Sequence, residues 1–261
     1  MLALAGPWVG EFGWELFGWQ ASLRALSKDM KIVVSCAYGN EALYEDFAED
    51  IIPVHLKDGE TSFWKRVGYE HGDMSQFMKY HGADRYLDPM EVCKATTSGK
   101  IQPKFIKFGT KSDDLSYDIV FHARSTNKHK SGKRNWPLEN WRKLAERMSG
   151  KKILSIGTVE SAYHIDGTDD MRGVKLGILT NILSSSKVVL GPSSGPMHLS
   201  SLCGTPHVVW TDNKTGWAMK NRIRYETAWN PLKTKVCVLD EDNWQPSVDL
   251  VMSSLDGLIK D

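Results

Sequence analysis

Short apolar runs alternate with longer amphipathic stretches along the whole chain, the pattern of βα units that build parallel sheets. Leu2–Ala5 predicts a first strand. A loop over Gly6–Gly13 leads to a helix over Trp14–Ser27, then a strand at Lys31–Ala37, a helix at Asn40–Glu49 and a strand at Ile51–Leu56. Glu60–Tyr80 is polar and aromatic and predicts one or two short helices, and Phe105–Phe108 predicts a further strand. Thr110–Asp114 holds no apolar residue and is placed as the linker, giving an N-terminal domain over residues 1–112 and a C-terminal domain over 113–261. The alternation then restarts. Strands are expected at Asp118–His122, Lys152–Ile156, Lys187–Leu190, His207–Trp210 and Val236–Leu239. Helices are expected at Pro137–Met148, Leu176–Ser185, Gly195–Leu202 and Ser247–Ile259. The fold class is therefore α/β: two Rossmann-like domains facing a central cleft, with ligands at the carboxyl ends of the strands.

Composition narrows the classes. The chain has 261 residues, 41% hydrophobic and 25% charged, enough to bury a core in two small domains. A net charge of +1 gives no global attraction to nucleic acid or to an anionic membrane. Cys36, Cys93, Cys203 and Cys237 are far apart and form no C-x-x-C pair, which argues against a disulfide framework or a zinc site and fits a reducing cytoplasm. No apolar run approaches the roughly 18 residues that span a bilayer, and the N-terminus lacks the basic start of a signal peptide, so no integral membrane contact is expected.

The most informative segment runs from Lys187 to Trp210. A strand ends at Leu190, a turn of Gly191, Pro192, Ser193, Ser194 and Gly195 follows, and a helix begins. The first helical N–H groups have no partner in their own helix, and with the helix dipole they attract an anion. Small residues let that anion come close, and the hydroxyls of Ser193 and Ser194 add hydrogen-bond donors. A diphosphate suits this turn; Ser194 acting only as an N-cap is the alternative. His198 lies one turn inside the helix and reads either as a contact to the phosphates or as a packed residue.

Gly195-Pro196-Met197-His198-Leu199 and Gly204-Thr205-Pro206 resemble, residue for residue, the signature of glycosyltransferase family 9, the ADP-heptose:lipopolysaccharide heptosyltransferases. A second stretch agrees: Phe121-His122-Ala123-Arg124-Ser125 followed by Lys133-Arg134-Asn135-Trp136-Pro137 resembles the family's strand, small-residue loop and K-R-W-P start of a helix. The resemblance covers roughly residues 118–260. It implies a GT-B architecture whose last helix crosses back to the first domain, and metal-independent, inverting transfer of a sugar from a nucleoside diphosphate. It implies that Ser125 and Lys133 meet the diphosphate; Arg124, Ser193, Ser194, Gly195, Met197 and His198 are the further candidate donor contacts. Arg124, Lys128, Lys130, Lys133 and Arg134 form a run without an acid, which suits a leaving diphosphate; a solvated basic loop is the other reading. Glu160, just past the strand ending near Ile156, suits a ribose hydroxyl, or is a helix N-terminal charge.

Inverting transfer needs a base for the acceptor hydroxyl. The family resemblance puts an acid after a glycine in the loop that follows the first strand, here Gly10-Glu11-Phe12-Gly13-Trp14-Glu15. Glu11 holds the matching place, and Glu15 is the second candidate. Trp14 and Trp19 are expected as the acceptor platform. Asp240-Glu241-Asp242 is a D-x-D string of the kind that holds a divalent cation in other glycosyltransferases, but it reads here as a solvated loop; neither metal nor cofactor is expected beyond the nucleotide sugar. The family's Asn-Asp is replaced by Pro192-Ser193, which leaves the sugar open. The favoured acceptor is a glycan of the lipopolysaccharide kind. Hydroxymethylated DNA, as for phage enzymes of this architecture, is the second reading, and a sugar-nucleotide or glycan-binding module without catalysis is the third.

Overall fold

A computed structural model describes residues 1–55, 78–126, 132–216 and 219–259. The chain forms two compact units, Met1–Ile106 and Lys107–Asp261. Most of the helical stretch expected over Glu60–Tyr80, and Lys128 and Lys130 of the basic run, lie outside the described residues.

The first unit holds a four-stranded parallel sheet of β1 (Leu2–Ala5), β2 (Lys31–Ala37), β3 (Asp50–Val54) and β4 (Arg85–Leu87), in the order β3-β2-β1-β4. β1 thus lies between strands reached by opposite crossovers, and the loop leaving it emerges at the point where the strand order reverses. Gly6 opens that loop at φ +84, and a Cβ there would overlap the Ser35 carbonyl oxygen, so the chain passes β2 only because residue 6 is glycine. The helix expected at Trp14–Ser27 is continuous from Phe12 to Leu26, with a π-helical turn at Glu15–Trp19. Such turns are rare and collect at functional sites.

Two expectations fail here for tertiary reasons. Asn40–Glu49 is not a helix: only Glu41–Leu43 forms a 3-10 turn. The buried Arg24 guanidinium donates to the Leu43 carbonyl at 3.0 Å and to Asp46, taking a backbone acceptor that a helix would use. Phe105–Phe108 pairs with no strand; Lys104 N–H donates to Ala21 in the first unit and Phe108 N–H to Leu202 in the second. Unexpected elements are β4 and the helix Pro89–Thr97, capped by Asp88, which accepts from the N–H groups of Met90 and Glu91 at 2.8 and 3.2 Å.

The second unit holds a six-stranded parallel sheet of β5 (Ile119–Phe121), β6 (Ile153–Ser155), β7 (Asp169–Asp170), β8 (Val188–Pro192), β9 (His207–Trp210) and β12 (Val236–Leu239). A small antiparallel pair, β10 (Thr215–Gly216) and β11 (Met219–Lys220), lies between β9 and β12 in sequence. The order β12-β9-β8-β5-β6-β7 is that of a dinucleotide-binding sheet, with its switch point between β5 and β8. Helices Leu138–Arg147, Leu176–Ser185, Gly195–Cys203 and Val248–Ile259 form close to their expected bounds; the helix Asn221–Glu226 was not foreseen. Trp136, Trp141, Trp210 and Phe121 make the centre of the core, their rings 5.1–5.3 Å apart, and Val251 and Leu255 of the last helix close that same core. Edge-to-face and tilted contacts at this spacing add to the area that such rings bury. The stretch Thr110–Asp114 belongs to the second unit, where Thr110 and Ser112 N–H groups donate to Asn181 and Ser185. Among the described residues no helix is long and apolar enough to cross a membrane.

Gly109 and Gly150 both hold left-handed backbone, at φ +80 and +85, but a Cβ at 109 would overlap the Thr180 carbonyl whereas none is near at 150. Gly150→Ala is expected to cost about 1–2 kcal/mol from the backbone alone. Gly109→Ala is expected to cost at least twice as much in urea unfolding; equal losses would contradict the packing described.

Candidate functional site

The Ser193–Ser194 turn is built at the switch point of the second sheet. β8 ends at Pro192, and Ser193 N–H donates to Trp210 at the end of β9 at 2.8 Å. Ser194 occupies the N-cap position of helix Gly195–Cys203 in extended backbone, φ −167 and ψ 174, yet its side chain does not cap the helix. Its hydroxyl is instead hydrogen bonded to His122 Nδ1, at the end of β5, at 2.8 Å. His122 is buried, and burial followed by the nearby Arg124 charge lowers its pKa from 6.5 to about 4, so its ring is neutral near pH 7. Gly157 leaves room for this ring, since a Cβ there would come within 3.1 Å of its Cδ2, and a Cβ at Gly191 would come within 3.1–3.2 Å of the His122 carbonyl oxygen and Cβ.

Pro196 has no N–H, so Gly195 and Met197 carry the free amides of the first helical turn, with no side chain across them. Tyr225, fully buried on helix Asn221–Glu226, fixes the serines in place. Its hydroxyl donates to Ser193 Oγ at 2.8 Å and accepts from the Ser194 backbone N–H. Ser193 therefore retains its own hydroxyl proton for a ligand. His198 stacks on Tyr225 at 5.1 Å and meets Trp229 edge-on at 4.6 Å. Burial, then His207 and Arg134, push its pKa down to about 3, so it is a neutral, packed ring. Met197 has no exposed surface and packs beneath Gly191, which makes it a support of the turn rather than a lining residue.

Positive charge collects around this turn. Arg124 is nearly buried; its guanidinium donates to the Thr126 carbonyl at 3.1 Å and to Asn135 Oδ1. Burial and then Arg134 lower its pKa to about 10, which leaves it charged at neutral pH. Arg134 lies 4.9 Å over the Trp244 ring, and its charge reaches Arg124, His198 and Tyr225, all of which flank the turn. Lys133 is exposed in the 3-10 turn Gly132–Arg134, and Gln245 anchors that turn by donating to the carbonyls of Lys133 and Asn135 at 3.0 and 3.2 Å. Ser125 N–H donates to Ser161, joining the loop after β5 to the loop after β6. Glu160 is exposed in that second loop, in a turn closed by Thr158 and Ser161, and starts no helix. The D-x-D string is not simply solvated: Asp240 is buried and held by Arg222, whereas Glu241 and Asp242 are exposed. No group of three metal-binding side chains occurs among the described residues.

In the first unit the two candidate bases separate. Trp8 and Trp19 are buried 6.1 Å apart and fasten the loop after β1, so Trp19 is a core residue and not part of an acceptor platform. Trp14 is 38% exposed, and Glu11 at the start of the helix is exposed. The π-helical turn carries Glu15 inward, where it accepts from Tyr44 Oη at 2.6 Å and Asn40 Nδ2 at 2.9 Å. Burial raises its pKa from 4.5 to about 7 against the opposing effect of those two hydrogen bonds.

His122, Tyr225 and Gln245 were not foreseen as parts of the site, whereas Arg134 was visible in the basic run. Tyr225 lies where no periodic pattern marks the short helix that carries it, and Gln245 acts through backbone carbonyls that no motif encodes.

These buried groups give the two units opposite pH responses. Between pH 6.5 and about 4 the unfolded chain binds protons on His122 and His207 that the folded second unit refuses, so their contribution is intact above pH 6.5 and is lost as pH falls. Between pH 4.5 and about 7 the folded first unit holds a proton on Glu15 that the unfolded chain has released, so that contribution is full below pH 4.5 and lost as pH rises. Glu15→Gln is expected to raise the first unit's melting temperature above pH 7 and to leave it nearly unchanged at pH 4.5; an equal shift at both would contradict this.

No protein-family model and no curated protein matches the sequence. Solved structures do resemble the fold. The glycosyl transferase family 9 structure from Veillonella parvula aligns with 99% of this chain and 97% of its own, at TM-score 0.61 and 14% identity. The E. coli heptosyltransferase WaaC with ADP aligns with 99% of this chain and 100% of its own, at TM-score 0.59 and 13% identity. The E. coli ADP-heptose lps heptosyltransferase II aligns with 99% of this chain and 98% of its own, at TM-score 0.66 and 11% identity. The chain thus has the α/β fold of these glycosyltransferases, over nearly its whole length and theirs.

Proposed function

We propose that this protein is a glycosyltransferase that moves a sugar from a nucleoside diphosphate to an acceptor hydroxyl with inversion and without a metal. The observation that carries the reading is the helix start at Gly195, left uncapped because Ser194 bonds His122. Two free amides and the Ser193 hydroxyl form one small-residue turn at the switch point, the charges of Arg124 and Arg134 act on it or its flanking residues, and Lys133 is exposed next to Arg134. A diphosphate leaving group gains negative charge as its bond to the sugar breaks, and fixed amides and cations stabilise that charge. Arginine and lysine here take the part that a divalent cation has in other transferases. Asp240, engaged with Arg222, is not offered as a ligand.

The base is proposed to be Glu11. It is exposed beside Trp14 at the carboxyl edge of the first sheet, where it takes the proton of the acceptor oxygen as that oxygen attacks the anomeric carbon. Glu15, enclosed by Tyr44 and Asn40, positions the helix that carries Glu11. Glu160 is proposed for the ribose hydroxyls. The acceptor is proposed to be a glycan, in keeping with the lps heptosyltransferase among the structural neighbours, and the protein is proposed to act in the cytoplasm.

Glu11→Gln is expected to bind nucleoside diphosphates as the wild type does and to lose transfer by roughly 100-fold or more. Wild-type turnover would remove Glu11 from the mechanism. Lys133→Ala is expected to weaken UDP, GDP or ADP binding several-fold in metal-free calorimetry without lowering the melting temperature. Unchanged affinity would exclude Lys133 from the diphosphate site.

A further inference from the structure

We propose that Asp212 is the residue that selects the sugar of the sugar donor, and that the nucleotide sugar lies across the second sheet with its sugar toward β9. This rests on the diphosphate reading of the Ser193–Ser194 turn. Pro192 at the end of β8 is paired with Trp210 at the end of β9, so Thr211 and Asp212 leave the carboxyl edge one strand away from Ser193 and Ser194. Neighbouring strands are about 4.8 Å apart. Asp212 is only 8% exposed, and Asn221 Nδ2 donates to its Oδ1 at 3.2 Å and to Thr211 Oγ1 at 2.9 Å. Four residues on, and so on the same face of that helix, Tyr225 holds Ser193. One helix therefore orients both the serine turn and the carboxylate.

A nearly buried carboxylate this close to a diphosphate site repels phosphate oxygens, and it needs hydroxyl or amide hydrogens to satisfy its lone pairs. Among the described residues only Asn221 supplies one. The sugar hydroxyls adjacent to the anomeric carbon are the neutral donors that a nucleotide sugar presents next to its β-phosphate. On the other side of the turn, β5 and then β6 lead to Glu160, the proposed ribose contact. The order of groups along the sheet edge is then nucleoside over β6, diphosphate over β5 and β8, and sugar over β9.

The test compares UDP, ADP and GDP with UDP-glucose, ADP-glucose and GDP-mannose by calorimetry on wild type and Asp212→Asn, which keeps the side-chain shape. Loss of charge-assisted hydrogen bonds to hydroxyls is expected to weaken the nucleotide sugar at least about tenfold. The matching nucleoside diphosphate is expected to bind unchanged or slightly tighter. Equal weakening of both ligands, or no change in either, would overturn the assignment. If wild type binds none of the diphosphates, the diphosphate site itself falls and the assignment with it. Should Asp212→Asn not melt cooperatively, Asn221→Ala frees the carboxylate and is expected to show the same selective loss, smaller in size; a uniform loss would overturn the proposal.

Discussion

The hydrogen bond between Ser194 and His122 decides which groups the turn of the second unit leaves open. A serine at an N-cap position normally turns its oxygen onto the first amides of its own helix and neutralises them. Here the hydroxyl is drawn across the switch point to a buried, neutral histidine. Those amides stay open, and the helix dipole keeps its unscreened positive end. Gly157 leaves space beside the histidine ring, Gly191 lets β8 pass close to the His122 backbone, and Tyr225 holds the two serines. The tryptophans Trp136, Trp141 and Trp210 pack in the core that carries the ends of β5, β8 and β9.

The first unit divides two carboxylates by burial. The π-helical turn rotates Glu15 toward Tyr44 and Asn40, and Arg24 holds the chain carrying those residues by binding Leu43 and Asp46. Glu11, four residues earlier, is left in solvent. A group that must collect a proton from an incoming hydroxyl has to be reachable, while a group with a raised pKa and two filled hydrogen bonds is suited to holding a helix in place.

Much of this was legible in the residues. Strands of Val, Ile and Leu and the helices Leu176–Ser185 and Gly195–Cys203 carry strong periodic patterns, and glycine, proline and serine mark the turn between β8 and its helix. The illegible parts depend on contacts distant in sequence. Asn40–Glu49 has a helical pattern that the Arg24 guanidinium disrupts, and Trp19 resembles a surface platform until the loop after β1 folds over it. The helix Pro89–Thr97 was passed over, although Asp88 followed by Pro89 is a cap and first-turn pair and forms that cap in the structure. The link from His122 to Ser194 spans 72 residues and could not be read from either segment alone.

The most direct test of the central claim is amide-resolved NMR of the second unit's turn during titration with a nucleoside diphosphate in metal-free buffer. The amides of Gly195 and Met197 are expected to shift strongly and saturate together, with the His122 ring signals moving alongside them. Binding that leaves those amides unmoved, or that appears only on adding magnesium or manganese, would contradict that claim.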